Sequence, residues 1–231
     1  MKTQLGWPAC PALPRRLGQR LVDDAERFAS SGMPKPLREY VLEIYGVDIG
    51  GIYAGRSIHT PFGKASGQLS LNVRQVEADA AAGLGFVVLK TVIAQDETGE
   101  QAMRAWAIKE TRMRVEPIAG KRVGALGFTV TWKGRGWYDT FDAYLDFVKA
   151  ALAVGAAHGV VVAPSCKYHL PGPGESSYRT AEYEYTTARL LEAWRTAGAS
   201  DPLILEKDFS PTLAGDDRAA EQARVLGWLS E

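Results

Sequence analysis

Cysteine is nearly absent from this chain: Cys10 and Cys166 are the only two, and they stand far apart. A disulfide framework is therefore not expected, and neither residue stands in a metal-ligand spacing, so no metal site is expected. A reduced, cytoplasmic setting is the expectation that follows. An excess of charge of one sign is also lacking. Lys and Arg number 27, Asp and Glu number 27, and the formal net charge is zero. No block of like charges occurs, so nothing argues for nucleic acid or an acidic membrane as a partner. Long apolar runs are missing too. No stretch of about 18 uninterrupted apolar residues exists, so no transmembrane segment is expected. The first twelve residues have no apolar core, so they do not read as a signal peptide.

What remains is an ordinary soluble composition, 46% hydrophobic and 23% charged, over 231 residues. That length suits one domain of barrel or doubly wound size. Residues 1–14 are Pro-rich and read as irregular. From Arg15 to Ser30, Leu17, Leu21, Val22, Ala25 and Phe28 recur on one helical face. The stop is expected at Ser31-Gly32-Met33-Pro34. Leu37–Tyr45 reads as a second short helix, so 1–46 forms an N-terminal helical segment. A glycine-flanked alternation at Val47–Tyr53 suggests a hairpin opening the second segment, 47–231.

From Pro61 the pattern alternates strand and helix. Strands are expected at 61–67, 85–91, 124–131, 158–164 and 202–207, with helices near 71–82, 139–154, 179–197 and 216–229. The charged stretch 93–120 reads as an excursion with a helix near 100–110. The run Gly159-Val160-Val161-Val162-Ala163 suits a strand buried on both faces. Such alternation argues for a parallel sheet with crossover helices. The fold class is therefore α/β, of (β/α) TIM-barrel type, with about five βα units and so incomplete against the eight of a closed barrel.

The chemistry-bearing residues cluster where these strands end. Ala65-Ser66-Gly67 ends the first, and small residues there let a flat ring approach the backbone; an ordinary turn is the plainer alternative. Lys90 and Thr91 end the second. A lysine there stabilises an anion in the barrel mouth or simply snorkels to the surface. Lys207 repeats that geometry on the fifth strand, and two such lysines converging on one cleft suit an anionic cofactor or substrate. Cys166 stands in Ser165-Cys166-Lys167-Tyr168-His169 before a Pro/Gly loop. Its thiol is a base or nucleophile if nearby cations lower its pKa, and an inert small residue otherwise. His59 and His158 read as structural. Trp132–Trp137 reads either as a cover for a planar ring or as a packed aromatic loop.

In this order the segments resemble the N-terminal part of the dihydroorotate dehydrogenase family, FMN-dependent barrel enzymes, over roughly residues 47–231. Ala65-Ser66-Gly67 is similar to the family's first strand end. Leu89-Lys90-Thr91-Val92 is similar to the second, and Ala163-Pro164-Ser165-Cys166-Lys167-Tyr168 to the fourth. Lys207 matches a flavin-contacting lysine on the fifth. The resemblance implies FMN held by Ala65, Ser66, Gly67, Lys90, Thr91 and Lys207. It implies substrate contacts from Lys90 and Ser165, and Cys166 as the base, as in the soluble class. Ala163 and Tyr168 stand where the family has asparagines that bind flavin and orotate, which puts dihydroorotate itself in question. The family's phosphate-binding loops belong to later strands than this chain holds.

The expected function is thus oxidation of dihydroorotate or a related small acid, with hydride passing to FMN, in the context of pyrimidine biosynthesis. A homo- or hetero-oligomeric partner is expected to complete the barrel. The alternative is a non-catalytic barrel fragment acting as a binding or scaffold subunit.

Overall fold

The computed structural model describes residues 14–34, 36–107, 112–119, 124, 126–133, 136–199, 202–209 and 218–230. The Pro-rich start, with Cys10, lies outside them. The chain divides into two compact units, Met1–Asp48 and Ile49–Glu231. Among the described residues, no helix is long and apolar enough to cross a membrane.

The first unit holds two helices, α1 (Arg15–Ser31) and α2 (Leu37–Tyr45). Gly32 ends α1 with a positive φ of 81°, and Gly46 ends α2 in the left-handed region, where a side chain would be strained. Buried Asp24 ties the helices together. Its carboxylate accepts from Tyr45 Oη at 2.5 Å, from Tyr40 Oη at 2.7 Å and from Arg27 at 2.8 Å. These three donors hold its pKa below the ordinary carboxylate value, the Tyr45 hydrogen bond most of all, and Tyr45 in turn is raised to about 12.

The second unit opens with an antiparallel hairpin, β1 (Gly51–Tyr53) and β2 (Arg56–Ile58), turned through Ala54-Gly55. Then come β3 (Gly63–Lys64), α3 (Val73–Ala81), β4 (Phe86–Val88) and β5 (Val92–Ile93). A second antiparallel hairpin follows, β6 (Arg112–Ala119) and β7 (Leu126–Lys133). The remainder is α4 (Phe141–His158), β8 (Val161–Ala163), β9 (Ser165–Tyr168), α5 (Thr180–Thr196), β10 (Glu206–Phe209) and α6 (Arg218–Leu229).

The parallel strands pair in chain order. β3 pairs with β4, and β4 with β8. β5 pairs with β9, and β9 with β10. A helix lies between each pair of neighbouring parallel strands: α3 between β3 and β4, α4 between β4 and β8 and between β5 and β9, and α5 between β9 and β10. The unit is mixed α/β with parallel sheets, and these do not close into a barrel among the described residues. One expected strand is corrected here. Among the described residues, those of 124–131 do not enter the parallel sheet; β7 pairs with β6, and β4 lies directly against β8. Leu126-Gly127-Phe128-Thr129-Val130-Thr131 alternates, as an antiparallel ribbon does and a doubly buried strand does not. The expected helix near 100–110 is a single 3-10 turn at Arg104–Trp106 among the described residues.

The core lies between the sheets and helices α3, α4 and α5. Val87, Leu89, Val92, Val162, Cys166 and Tyr168 meet Val76, Tyr144, Val148 and Leu190 there, all at 2% exposure or less. Each fully buried aliphatic side chain contributes about 1.5–3 kcal/mol. Two glycines allow this closeness. A Cβ at Gly85 would run into the Thr60 carbonyl, and one at Gly155 on α4 would lie 2.6 Å from the Val160 carbonyl. Caps define the ends: Asn72 Oδ1 accepts from Gln75 N before α3, and Thr140 Oγ1 accepts from Ala143 N before α4.

Candidate functional site at a break in the parallel ladder

Pro164 stands between β8 and β9 and has no backbone N–H to give the ladder. The register shows how the neighbouring strand responds. Val88 pairs with Ala163 and Val92 with Cys166. Leu89, Lys90 and Thr91 therefore oppose only Pro164 and Ser165. That is a β-bulge, a feature common beside active sites. Its backbone groups find partners elsewhere. Lys90 N donates to Ser70 O at 2.8 Å, and Thr91 O accepts from Trp137 N at 2.6 Å.

Ser165 opens β9 in register with Glu206, and Tyr144, reaching in from α4, hydrogen-bonds both its N–H and its carbonyl beside the break. Its phenol donates to Ser165 O at 3.0 Å and accepts from Ser165 N at 3.1 Å. Burial pushes this phenol's pKa far up, so it stays a neutral hydroxyl able to do both.

Three hydroxyls line up across the break. Ser66 Oγ and Thr91 Oγ1 are hydrogen-bonded at 2.7 Å, and Thr91 Oγ1 and Ser165 Oγ at 3.0 Å. They come from three neighbouring strand ends. Ser165 is fully buried and Thr91 nearly so, while Ser66 is half-buried. Gly67 N donates to Ser70 Oγ at 3.1 Å, which folds the Ala65-Ser66-Gly67 turn against the bulge. Space remains beside that turn: a Cβ at Gly67 would meet nothing nearer than Ala65 O at 3.8 Å. Lys90, in the bulge itself, is only 3% exposed.

The structure thus brings Ser66, Gly67, Lys90, Thr91 and Ser165 to one place, with exposed Ala65 on their border. It does not bring Lys207 or Cys166 there. Cys166 lies on β9 rather than in a mobile loop, and its side chain is in the helix-facing core at 0% exposure. Burial pushes its thiol pKa up, well past the slight lowering by Lys167. Lys207 registers with Cys166 and so takes the helix-facing side of β10, where it is exposed. The whole of β9 separates it from the bulge, so the two lysines do not converge on one cleft.

Three features escaped the motif reading. Asp208 registers with Lys167, and the two form an ion pair at 2.7 Å on the side opposite Cys166. Alternation after the Lys207 motif was the signal for it. Glu182 on α5 is buried and accepts from Ala102 N at 2.7 Å; burial raises its pKa. Beyond β9, Glu175 closes the Pro/Gly loop. It accepts from Gly172 N at 2.6 Å and meets His169 Nε2 at 2.7 Å. The Gly172 N–H, then His169, hold its pKa below the usual range. The capping of a Gly-Pro-Gly turn by a following Glu is legible only after the loop is seen closed. His59 follows β2 and His158 ends α4, both away from the bulge.

Electrostatically the bulge suits an anionic, planar ligand edge. The chain of three hydroxyls spends two of its protons on its own hydrogen bonds and keeps one O–H to donate, buried Lys90 stands in the bulge beside it, and no described carboxylate hydrogen-bonds the chain. Comparison of the chain with known protein families and with curated proteins gives no match in either.

Proposed function

We propose that this chain is an FMN-dependent oxidoreductase of dihydroorotate dehydrogenase type, acting on a small acid and needing a partner to complete its barrel. The observation that carries this is the hydroxyl chain at the bulge. It joins Ser66 to Thr91 and Ser165, three of the residues that carry the family resemblance, beside buried Lys90. A Cβ at Gly67 would meet nothing closer than 3.8 Å, and a glycine there lets a flat ring approach the backbone. Ser66, Gly67, Lys90 and Thr91 would hold the ring's polar edge, with Ala65 at its border. When bound, the flavin supplies a hydride acceptor. Lys90 would orient the carboxylate of the substrate, and Ser165, which has no exposure, would act on it only through Thr91. Fixed donors at such a site act without reorganising as charge develops.

Cys166 is left out of the proton transfer in this proposal. A thiol with no exposure and a raised pKa, on the far side of its strand, is a poor base. Its part is packing. Lys207 is likewise left to the surface. The barrel reading rests on strands paired in chain order with helices between them, and on β3 and β10 pairing on one side only among the described residues. Unpaired edges of this kind recruit further strands. The partner, a second copy or another subunit, would bring these and the phosphate site.

The test is a visible absorption spectrum after FMN is added and the protein is desalted. A retained flavin band, lost in Lys90→Ala and Thr91→Val, supports the proposal. Bleaching by a small hydroxy or dihydropyrimidine acid would then identify the substrate class. A colourless protein, alone and with candidate partner subunits, would overturn it in favour of a non-catalytic binding or scaffold subunit.

A further inference from the structure

A second concavity lies on the other side of the sheet from the hydroxyl chain. It encloses about 470 Å³, between the segment after β5 and the first turns of α4 and α5. Ligand pockets of small molecules span roughly 300–1,000 Å³. Val92, a helix-facing core residue, forms part of its floor, so it is not an extension of the strand-end site.

Its wall is aromatic and ordered. Phe147, Trp137 and Tyr138 form a near-parallel stack, with centroids 5.7 Å and 6.2 Å apart and interplanar angles of 7° and 18°. Trp137 and Tyr138 line the cavity, and the stack ends on Tyr138, a residue 46% exposed. A flat ring laid on Tyr138 would extend the stack by one member. Two amides stand on the lining as well. Gln101 Nε2 donates to Ile93 O at 3.3 Å and lies 3.5 Å from Gln95 Oε1. Among the described residues, the Gln95 amide nitrogen and the Gln101 amide oxygen have no protein partner. Together they put one amide donor and one amide acceptor on the same lining, the pair of groups by which glutamine reads the edge of a base. The charges nearby balance. Asp142 is paired with Arg189 at 3.0 Å, and Asp139 and Arg104 also line the site. Neither an anion nor a cation is favoured.

We propose that this cavity binds an uncharged planar heteroaromatic ring of the nucleobase class, stacked on Tyr138 and read at its edge by Gln95 and Gln101. Base stacking on an aromatic side chain tolerates any base, and the amides supply the preference. The site does not depend on the flavin proposal. It also touches the bulge through one bond, since Trp137 N donates to Thr91 O.

The experiment uses the full chain without flavin, with adenosine and uridine as probes, followed by saturation-transfer NMR and calorimetric titration. Saturable binding of at least one nucleoside is expected, with transfer strongest to its base protons. Tyr138→Ala should weaken it at least tenfold, and Gln101→Ala should narrow the difference between the two probes. Ser66→Ala, at the other site, should leave it unchanged. Absence of saturable binding by both nucleosides would overturn the proposal. So would binding that survives both Tyr138→Ala and Gln101→Ala, or that is lost in Ser66→Ala.

Discussion

Replacing Tyr144 by phenylalanine removes one oxygen and tests whether the break in the ladder is built as described. The ring itself stays: Tyr144 is fully buried, packed edge-on to Trp137 at 5.3 Å and to Phe147 at 6.2 Å. Lost are both hydrogen bonds to the Ser165 backbone. Ser165 has no exposure, so solvent cannot take the phenol's place. An unsatisfied buried donor or acceptor costs about 1–3 kcal/mol. Two of them, sharing one peptide neighbourhood that can relax a little, should cost about 2–4 kcal/mol. With an m-value of about 3 kcal/mol per M urea, the unfolding midpoint should fall by about 1 M at unchanged slope. Tyr183→Phe is the control. It removes one hydrogen bond, to His169 O at 2.6 Å, from a half-buried phenol, and should cost about 0.5–1.5 kcal/mol. If Tyr144→Phe lowered the midpoint no more than Tyr183→Phe does, the phenol would not be what satisfies the Ser165 backbone beside the break, and the reasoning would fail.

Further outcomes are expected. Glu175 has a lowered pKa, so its contribution is present above the ordinary glutamate value and disappears as pH falls through the lowered one; hydrogen exchange at 170–176, corrected for intrinsic rate, should speed up across that acid window and at pH 7 in Glu175→Gln, and equal exchange in variant and parent would remove its role as a clasp. Asp24 follows the same sign, so Asp24→Asn should loosen α1 and α2 at neutral pH, seen as faster exchange in both helices and little change in the second unit. Lys167→Met removes the ion pair with Asp208, whose side chain is a third exposed, and should cost about 1–3 kcal/mol in urea unfolding, less than breaking a fully buried pair would. Gly85→Ala sets a methyl against the Thr60 carbonyl and should cost more than about 2 kcal/mol; a neutral variant would mean that the β2–β3 connection gives way freely.

Helices were legible to within a few residues, because period and stop signals lie on the surface of the sequence. Leu37–Tyr45 is an example, while α4 runs to His158, four residues past its expected end at 154. The strands that ended in motif residues were legible as well, in order though not in length. The hairpin β6–β7 was not. Arg112–Ala119 is charged and holds Pro117, which reads as loop until Leu126–Lys133 is seen beside it. The site was half legible. Ser66, Thr91 and Ser165 were in the motifs, yet the hydrogen bonds between them depend on strand pairing that no local pattern states. Cys166 was misplaced for a related reason. Both sides of β9 are buried, so composition alone does not say which side a residue takes, and only the apolar cluster around Cys166 and Tyr168 decides it.

The single residue gained at the bulge also shifts phase. On β4 the helix-facing positions are Val87 and Leu89, odd numbers; on β5 they are Val92 and Ala94, even numbers. On the partner strand Val160, Val162, Cys166 and Tyr168 keep one parity throughout. The segment 86–94 is therefore written in two frames joined at Lys90. Deleting Lys90 or Thr91 would leave two residues opposite Pro164 and Ser165, so the two frames would merge into one alternation that keeps Val87, Leu89, Val92 and Ala94 on the helix-facing side. What would go is the bulge itself, and with it the extra residue whose backbone surroundings turn away to Ser70 and Trp137. The core would tolerate a loss that the site would not, which makes the extra residue in 89–91 a mark of the site rather than of the fold.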